Sequence, residues 1–108
     1  VTVIINNACW AMSKNGQDLA FGEDRRVAVE LCDRPYEEVA RALGCLGERI
    51  EHLEAIGPAI ARSLAAGRPA CINIATDGEV IHPMTYAMAG ADPNKGKIAM
   101  PYYQNETS

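Results

Sequence analysis

Val1-Thr2-Val3-Ile4-Ile5-Asn6-Asn7-Ala8-Cys9-Trp10-Ala11-Met12 opens the chain, and its reading decides the fold. Four β-branched apolar residues and one Thr run through Ile5 without polar alternation. That is the pattern of a strand buried on both faces of a parallel sheet. The run ends abruptly in Asn6-Asn7, followed by Cys9 and the single Trp of the chain. Open α/β sheets bind ligands beyond the carboxyl ends of their strands. Two amides, a sulfur and an indole therefore stand where a ligand would sit. Asn-Asn also serves simply to turn a chain, and position by itself leaves both readings open.

Working outward, Met12 to Pro35 is the least regular stretch. Ser13-Lys14-Asn15-Gly16 is a turn signal, and Gln17 to Phe21 has room for one helical turn. Gly22-Glu23-Asp24-Arg25-Arg26 reads as a charged surface loop, and Val27 to Leu31 as a short peripheral strand. So long an irregular segment is unusual in a compact domain and is often functional. Order returns at Asp33-Arg34-Pro35, where Pro35, Glu37 and Glu38 favour a helix N-terminus. Tyr36, Val39, Ala40 and Leu43 have the spacing of one buried face, and Gly44 stops the helix. Glu48-Arg49-Ile50 is a short strand. The next helix carries Leu53, Ile56, Ile60 and Leu64 on one side, with Pro58 in its first turn and Gly67 at its end. Pro69 to Ala75 is a second buried strand. Strand, long loop, helix, strand, helix and strand make an α/β unit with a parallel sheet. Three strands are too few for a doubly wound sheet, so further strands are expected from beyond this chain.

The 108 residues amount to one domain at most. A net charge of -4, with the basic residues scattered, argues against a nucleic-acid surface. No apolar run approaches membrane-spanning length, and there is no signal peptide. The chain has no initiator Met and opens inside a strand, as a C-terminal piece of a longer polypeptide would. Cys9, Cys32, Cys45 and Cys71 form no C-x-x-C pair, and with only His52 and His82 as nitrogen partners zinc-site spacing is absent. Cys45 and Cys71 read as small core residues, all four cysteines as reduced thiols of a cytoplasmic protein, and His52 as solvated.

These residues together carry a resemblance. VIINN resembles the end of the cofactor motif of thiamine diphosphate-dependent enzymes, which begins in Gly-Asp-Gly and closes in Asn-Asn at a strand end. NNACWAM resembles that family's Asn-Asn-x-x-Trp/Gln-Gly-Met. The helix ending ALG, then GERI, then LEAIGPAIARSLAAGRPACINIATD, is similar to its last helix and strand. Val80-Ile81-His82-Pro83-Met84 resembles the Val-x-Pro-Met seen after the last strand in acetolactate synthases. The similarity runs in continuous order through about residue 84, and the branch it resembles holds acetolactate synthases, benzaldehyde lyase and 2-hydroxyacyl-CoA lyases.

The resemblance implies residues 1–84 as the C-terminal half of a Rossmann-like diphosphate-binding domain, incomplete in this chain, and 85–108 as a tail. It implies thiamine diphosphate and Mg²⁺ as cofactors, with FAD or ADP as options elsewhere in a full-length protein. Asn7 is then a metal ligand through its side-chain oxygen and Cys9 through its backbone carbonyl, in keeping with the oxygen ligands Mg²⁺ takes. Trp10, Ala11 and Met12 line the cofactor. Ala11 replaces the family's usual Gly, and Gly16 stands where acetolactate synthases have Trp, which implies a more open pocket. The implied activity is a lyase or carboligase working next to a carbonyl, on 2-keto acids or 2-hydroxyacyl-CoA. The implied partners are the missing domains of the same enzyme in a homodimer or tetramer. The alternative is a non-catalytic α/β module with a degenerate site. In the tail, Tyr86 to Gly90 reads as a brief helical turn. Ile98 to Tyr103, with Tyr102 and Tyr103, reads either as a docking segment or as a lid. A lid would bring Lys95 and Lys97 to a substrate phosphate, with His82 reaching the site.

Overall fold

The computed structural model describes residues 1–88. They fall into two compact units. The first joins Val1–Ala8 to Cys32–Gly78, and the second joins Cys9–Leu31 to the described residues from Glu79.

The first unit is an α/β layer structure, as the sequence predicts. Its strands are β1 (Thr2–Asn6), β2 (Leu46–Ile50) and β3 (Ala70–Ala75). All pair in parallel in the order β1-β3-β2. Two helices belong to this unit, α2 (Tyr36–Ala42) and α3 (Ile56–Ala65), the latter entered through a 3₁₀ turn at Leu53–Ala55. Residues alternate between the faces of a strand. Ile72 and Ile74 of β3 point to one face, where Ile50, Ala55, Ile56 and Ala59 close the apolar core beneath α3. Asn73 points to the other, where it donates to Glu37 of α2. The sheet is thus covered by α3 on one side and α2 on the other. Gly47 of β2 permits the approach of α2, since a Cβ there would lie 2.2 Å from the Glu37 carbonyl oxygen.

The structure corrects the expected burial of β1. The register places Val3 beside Ile72 and Ile5 beside Ile74, yet Val3 is 44% and Ile5 63% exposed. The central strand of these three is β3, buried along nearly its whole length. On the core face α3 lies over β3 and β2, and among the described residues nothing covers Val3 and Ile5. The helix faces also differ from the expected apolar stripes. On α2 the buried residues are Glu37 and Ala40, while Val39 and Leu43 are exposed. On α3 they are Ala59 and Ser63, while Leu53, Ile60 and Leu64 are exposed. Small residues and one carboxylate let the helix backbones come close to the sheet, and the longer apolar side chains splay outward. Cys71 is buried, but Cys45 is only partly so, and His52 is exposed as expected.

In the second unit the segment expected to be irregular contains an eleven-residue helix, α1 (Ala11–Phe21). Ser13 to Gly16, expected to turn, lie inside it. A 3₁₀ turn follows at Glu23–Arg25. Val27 to Leu31 forms no strand and contributes one isolated antiparallel bridge, Cys9 to Glu30. The helix is held by polar pairs instead of an apolar stripe. The Gln17 amide brackets Val27, donating to its carbonyl at 3.2 Å and accepting its N–H at 2.7 Å. Asp18 receives both Nε and Nη2 of Arg26, at 2.6 and 2.9 Å. Lys14, only 3% exposed, pairs with Glu79 at 2.7 Å. The charged loop therefore has a structural role that its composition does not announce. A last helix, α4 (Pro83–Met88), covers the expected turn near Tyr86. Among the described residues no helix is long and apolar enough to cross a membrane.

Candidate functional site

Parallel pairing puts the carboxyl ends of β1 and β3 side by side, with Asn6 opposite Ala75. The chain leaves β1 through a tight turn. The Asn6 carbonyl accepts the Thr76 N–H at 2.8 Å. The Asn6 side-chain oxygen accepts the Ala8 N–H at 3.1 Å, the bond of an Asx turn. Ala8 itself is left-handed, at φ 57°, a conformation a non-glycine residue holds only when its surroundings impose it.

The two asparagines differ in burial. Asn6 is buried and turned inward, its Nδ2 donating to Asp33 Oδ1 at 3.1 Å and to the Arg34 carbonyl at 3.2 Å. Asn7 is half-buried at the strand end. Behind Asn6 lies a polar layer. Asn73, fully buried, donates through Nδ2 to the Arg34 carbonyl at 3.1 Å and to Glu37 Oε2 at 2.6 Å. The Arg34 carbonyl also takes the Tyr36 N–H at 2.9 Å across Pro35, whose φ of -79° and ψ of 71° make an inverse γ-turn. Arg49 clamps Asp33 at 3.0 and 2.6 Å. Those guanidinium hydrogen bonds, helped by the Asn6 amide, hold the Asp33 carboxyl below the usual carboxylate range against some desolvation. Burial, with Glu37 and Cys45 adding to it, pushes the Cys71 thiol up. None of Asp33, Arg34, Glu37 and Asn73 was singled out from sequence as a site residue. The available signal was Asn73, a lone amide inside an apolar strand, which must find partners when buried.

The remaining expected site residues belong to the second unit. Cys9 is partly buried in the bridge to Glu30. Trp10 is exposed and caps α1, its N–H donating to Val29 at 2.8 Å and its carbonyl accepting the Lys14 N–H at 2.8 Å. Ala11 begins the helix. Met12 is 88% exposed. Gly16 lies in mid-helix with open space where a side chain would project. His82 is exposed, and its Nδ1 accepts the Met84 N–H at 3.1 Å, so it caps α4. Lys14 hydrogen-bonded to Glu79, with Arg26 nearby, keeps that carboxyl below its usual range. Lys95, Lys97, Tyr102 and Tyr103 lie outside the described residues. Among the described residues no three His, Cys, Asp or Glu side chains come together as a metal cluster.

Residues 1–74 match the family model described as thiamine pyrophosphate enzyme, C-terminal TPP binding domain. The chain belongs to the thiamine pyrophosphate enzymes. It is 40% identical over 86 residues to a probable acetolactate synthase of Mycobacterium bovis, an alignment covering 77% of this chain and 15% of that protein. The same figures hold for the acetolactate synthase large subunit IlvG of Mycobacterium tuberculosis. Sulfoacetaldehyde acetyltransferase of Alcaligenes xylosoxydans xylosoxydans is 32% identical over 62 residues, which is 57% of this chain and 10% of that enzyme. The chain thus spans about 15% of the length of these two acetolactate synthase relatives. The match to the TPP-binding domain takes in β1, the Asn6-Asn7 turn, both flanking helices of the sheet and most of β3.

Proposed function

We propose that this chain supplies the metal-binding side of a thiamine diphosphate site in a lyase or carboligase acting next to a carbonyl. The observation that carries the proposal is the place of Asn7 directly after β1. Asn6 is committed to the turn and to Asp33 and Arg34, and Asn7 follows it at the carboxyl end of the sheet, inside the segment matched to a TPP-binding domain.

The donor set suits the group. Mg²⁺ takes hard oxygen ligands in octahedral geometry. The Asn7 side-chain amide and the Cys9 backbone carbonyl are neutral oxygen donors, while the soft Cys9 thiol is not called upon. Asn7 would hold the cation that anchors the diphosphate, and Cys9 would complete the protein's share from this chain. When bound, the cofactor supplies the electron sink that allows a C–C bond beside a carbonyl to break or form. The residues of this chain bind and orient; none of them is proposed to move a proton. The relatives named as acetolactate synthases and an acetyltransferase favour 2-keto acid chemistry, with 2-hydroxyacyl-CoA as the neighbouring substrate class. The remaining ligands and the groups that activate the cofactor are assigned to further domains of the same enzyme, assembled as a homo-oligomer.

The test is calorimetric titration of thiamine diphosphate and Mg²⁺ into the intact protein. Asn7→Ala should weaken binding by no less than the roughly 10–100-fold that loss of an outer-shell partner costs, with the fold retained. Cys9→Ala should change it little. Unchanged affinity in Asn7→Ala sinks the assignment, and abolished binding in Cys9→Ala would give the thiol a role this mechanism lacks.

A further inference from the structure

We infer that Asp33 is a positioning residue for Asn7, acting through the side chain of Asn6; the inference rests on the reading of Asn7 as a metal ligand. Asn7 lies between two pinned neighbours. On one side the Asn6 carbonyl is tied to the Thr76 N–H. On the other, the Ala8 N–H is tied to Asn6 Oδ1 at 3.1 Å. The second tie exists only if the Asn6 amide presents its oxygen to Ala8, and a side-chain amide rotated by half a turn would present N–H instead. The environment on the inner side decides between the two orientations. Asp33 Oδ1 at 3.1 Å and the Arg34 carbonyl at 3.2 Å both face the Asn6 amide. An ionised carboxylate and a peptide carbonyl can only accept. Two obligate acceptors therefore draw the NH₂ inward and leave the oxygen for Ala8.

Both acceptors are themselves fixed. Arg49 donates Nη1 to Asp33 Oδ1 at 3.0 Å and Nη2 to Oδ2 at 2.6 Å. The Arg34 carbonyl is shared with Tyr36 and Asn73. The left-handed Ala8 gives the chain a reason to need this clamp, because its φ of 57° relaxes unless its N–H is held. A chain of contacts thus runs from Arg49 through Asp33 and Asn6 to Ala8, and Asn7 is the residue it brackets.

The experiment measures metal affinity and not turnover: Mg²⁺ titrated calorimetrically into the intact protein in the presence of thiamine diphosphate. Asp33→Ala should weaken Mg²⁺ binding about 10-fold, the lower end for residues that orient a ligand, since the Arg34 carbonyl still faces Asn6. Asp33→Asn, which keeps an acceptor oxygen for Asn6 but loses the ion pair with Arg49, should restore near wild-type affinity. In the Asn7→Ala background, Asp33→Ala should add nothing. Additive losses in the double variant would overturn the inference while leaving Asn7 as a ligand. So would an Asp33→Asn variant as weak as Asp33→Ala, because an acceptor oxygen at position 33 would then not be what holds Asn6. No loss in Asn7→Ala alone would overturn both this inference and the ligand assignment.

Discussion

Gly47→Ala adds one methyl group, and the structure says where it lands. The new Cβ would lie 2.2 Å from the Glu37 carbonyl oxygen, 2.9 Å from its carbon and 3.1 Å from Arg41 Cγ. The Arg41 side chain can swing away, but the Glu37 peptide cannot. Restoring an ordinary contact requires α2 to move by about 1 Å from the sheet. That movement strains the 2.6 Å bond from Asn73 to Glu37 and the paired bonds from Arg41 to the Gly47 carbonyl, at 3.1 and 2.8 Å. The φ of Gly47 is not positive, so the cost is steric and not conformational. Over-packing of a tight site costs about 1–3 kcal/mol, and a backbone obstacle puts Gly47→Ala at the upper end. Gly16→Ala is the matched control. It also adds one methyl, but in mid-helix with nothing within 4 Å, and should gain about 0.5–1 kcal/mol from helix propensity. Differential scanning calorimetry of both variants in the intact protein gives the comparison. A Gly47→Ala protein melting with the wild type would refute the close approach of α2 to β2.

Two further outcomes follow from the polar layer and the ion pairs. Asn73→Leu keeps the branched shape but removes the donor to Glu37 and to the Arg34 carbonyl; leaving a carboxylate buried without that partner should cost about 3 kcal/mol in urea unfolding, and an equally stable variant would contradict the network. Asp33, Glu48 and Glu79 all have folded-state pKa values depressed first by hydrogen bonds, from Arg49, Arg62 and Lys14 respectively. As pH falls the unfolded chain takes up their protons first, so the stability they contribute is complete above the ordinary carboxylate values of 3.8 and 4.5 and is lost below them. Melting temperatures should drop on acidification through that range, less steeply in high salt because each pair keeps one partner exposed; a flat profile would count against the pairs.

The elements that the sequence made legible are those bounded by backbone chemistry. Pro35, Gly44, Pro58 and Gly67 punctuate α2 and α3 in the structure, and Gly44 and Gly67 take the positive φ that ends a helix. The apolar run of β3 is equally plain. What could not be read is whatever depends on polar contacts between distant residues. Helix α1 is organised by Lys14, Gln17 and Asp18 reaching Glu79, Val27 and Arg26, so it has no apolar period to find. The buried face of α2 was misjudged because Glu37 turns inward to a single asparagine of β3. At the candidate site, Asn6-Asn7 was visible as a pair. Only the fold reveals that Asn6 looks inward, because Asp33 and Arg34 lie 27 and 28 positions away.

The carbonyl of Arg34 gathers N–H donors from Asn6, Tyr36 and Asn73, and so joins the end of β1, the start of α2 and the middle of β3 at one atom. A peptide oxygen is the same whatever side chain its residue carries. The junction therefore depends on Pro35, whose ring fixes the turn, and on two asparagines far away in sequence. Arg34→Ala would leave this oxygen in place. The atom on which three elements converge is one that side-chain mutagenesis does not reach.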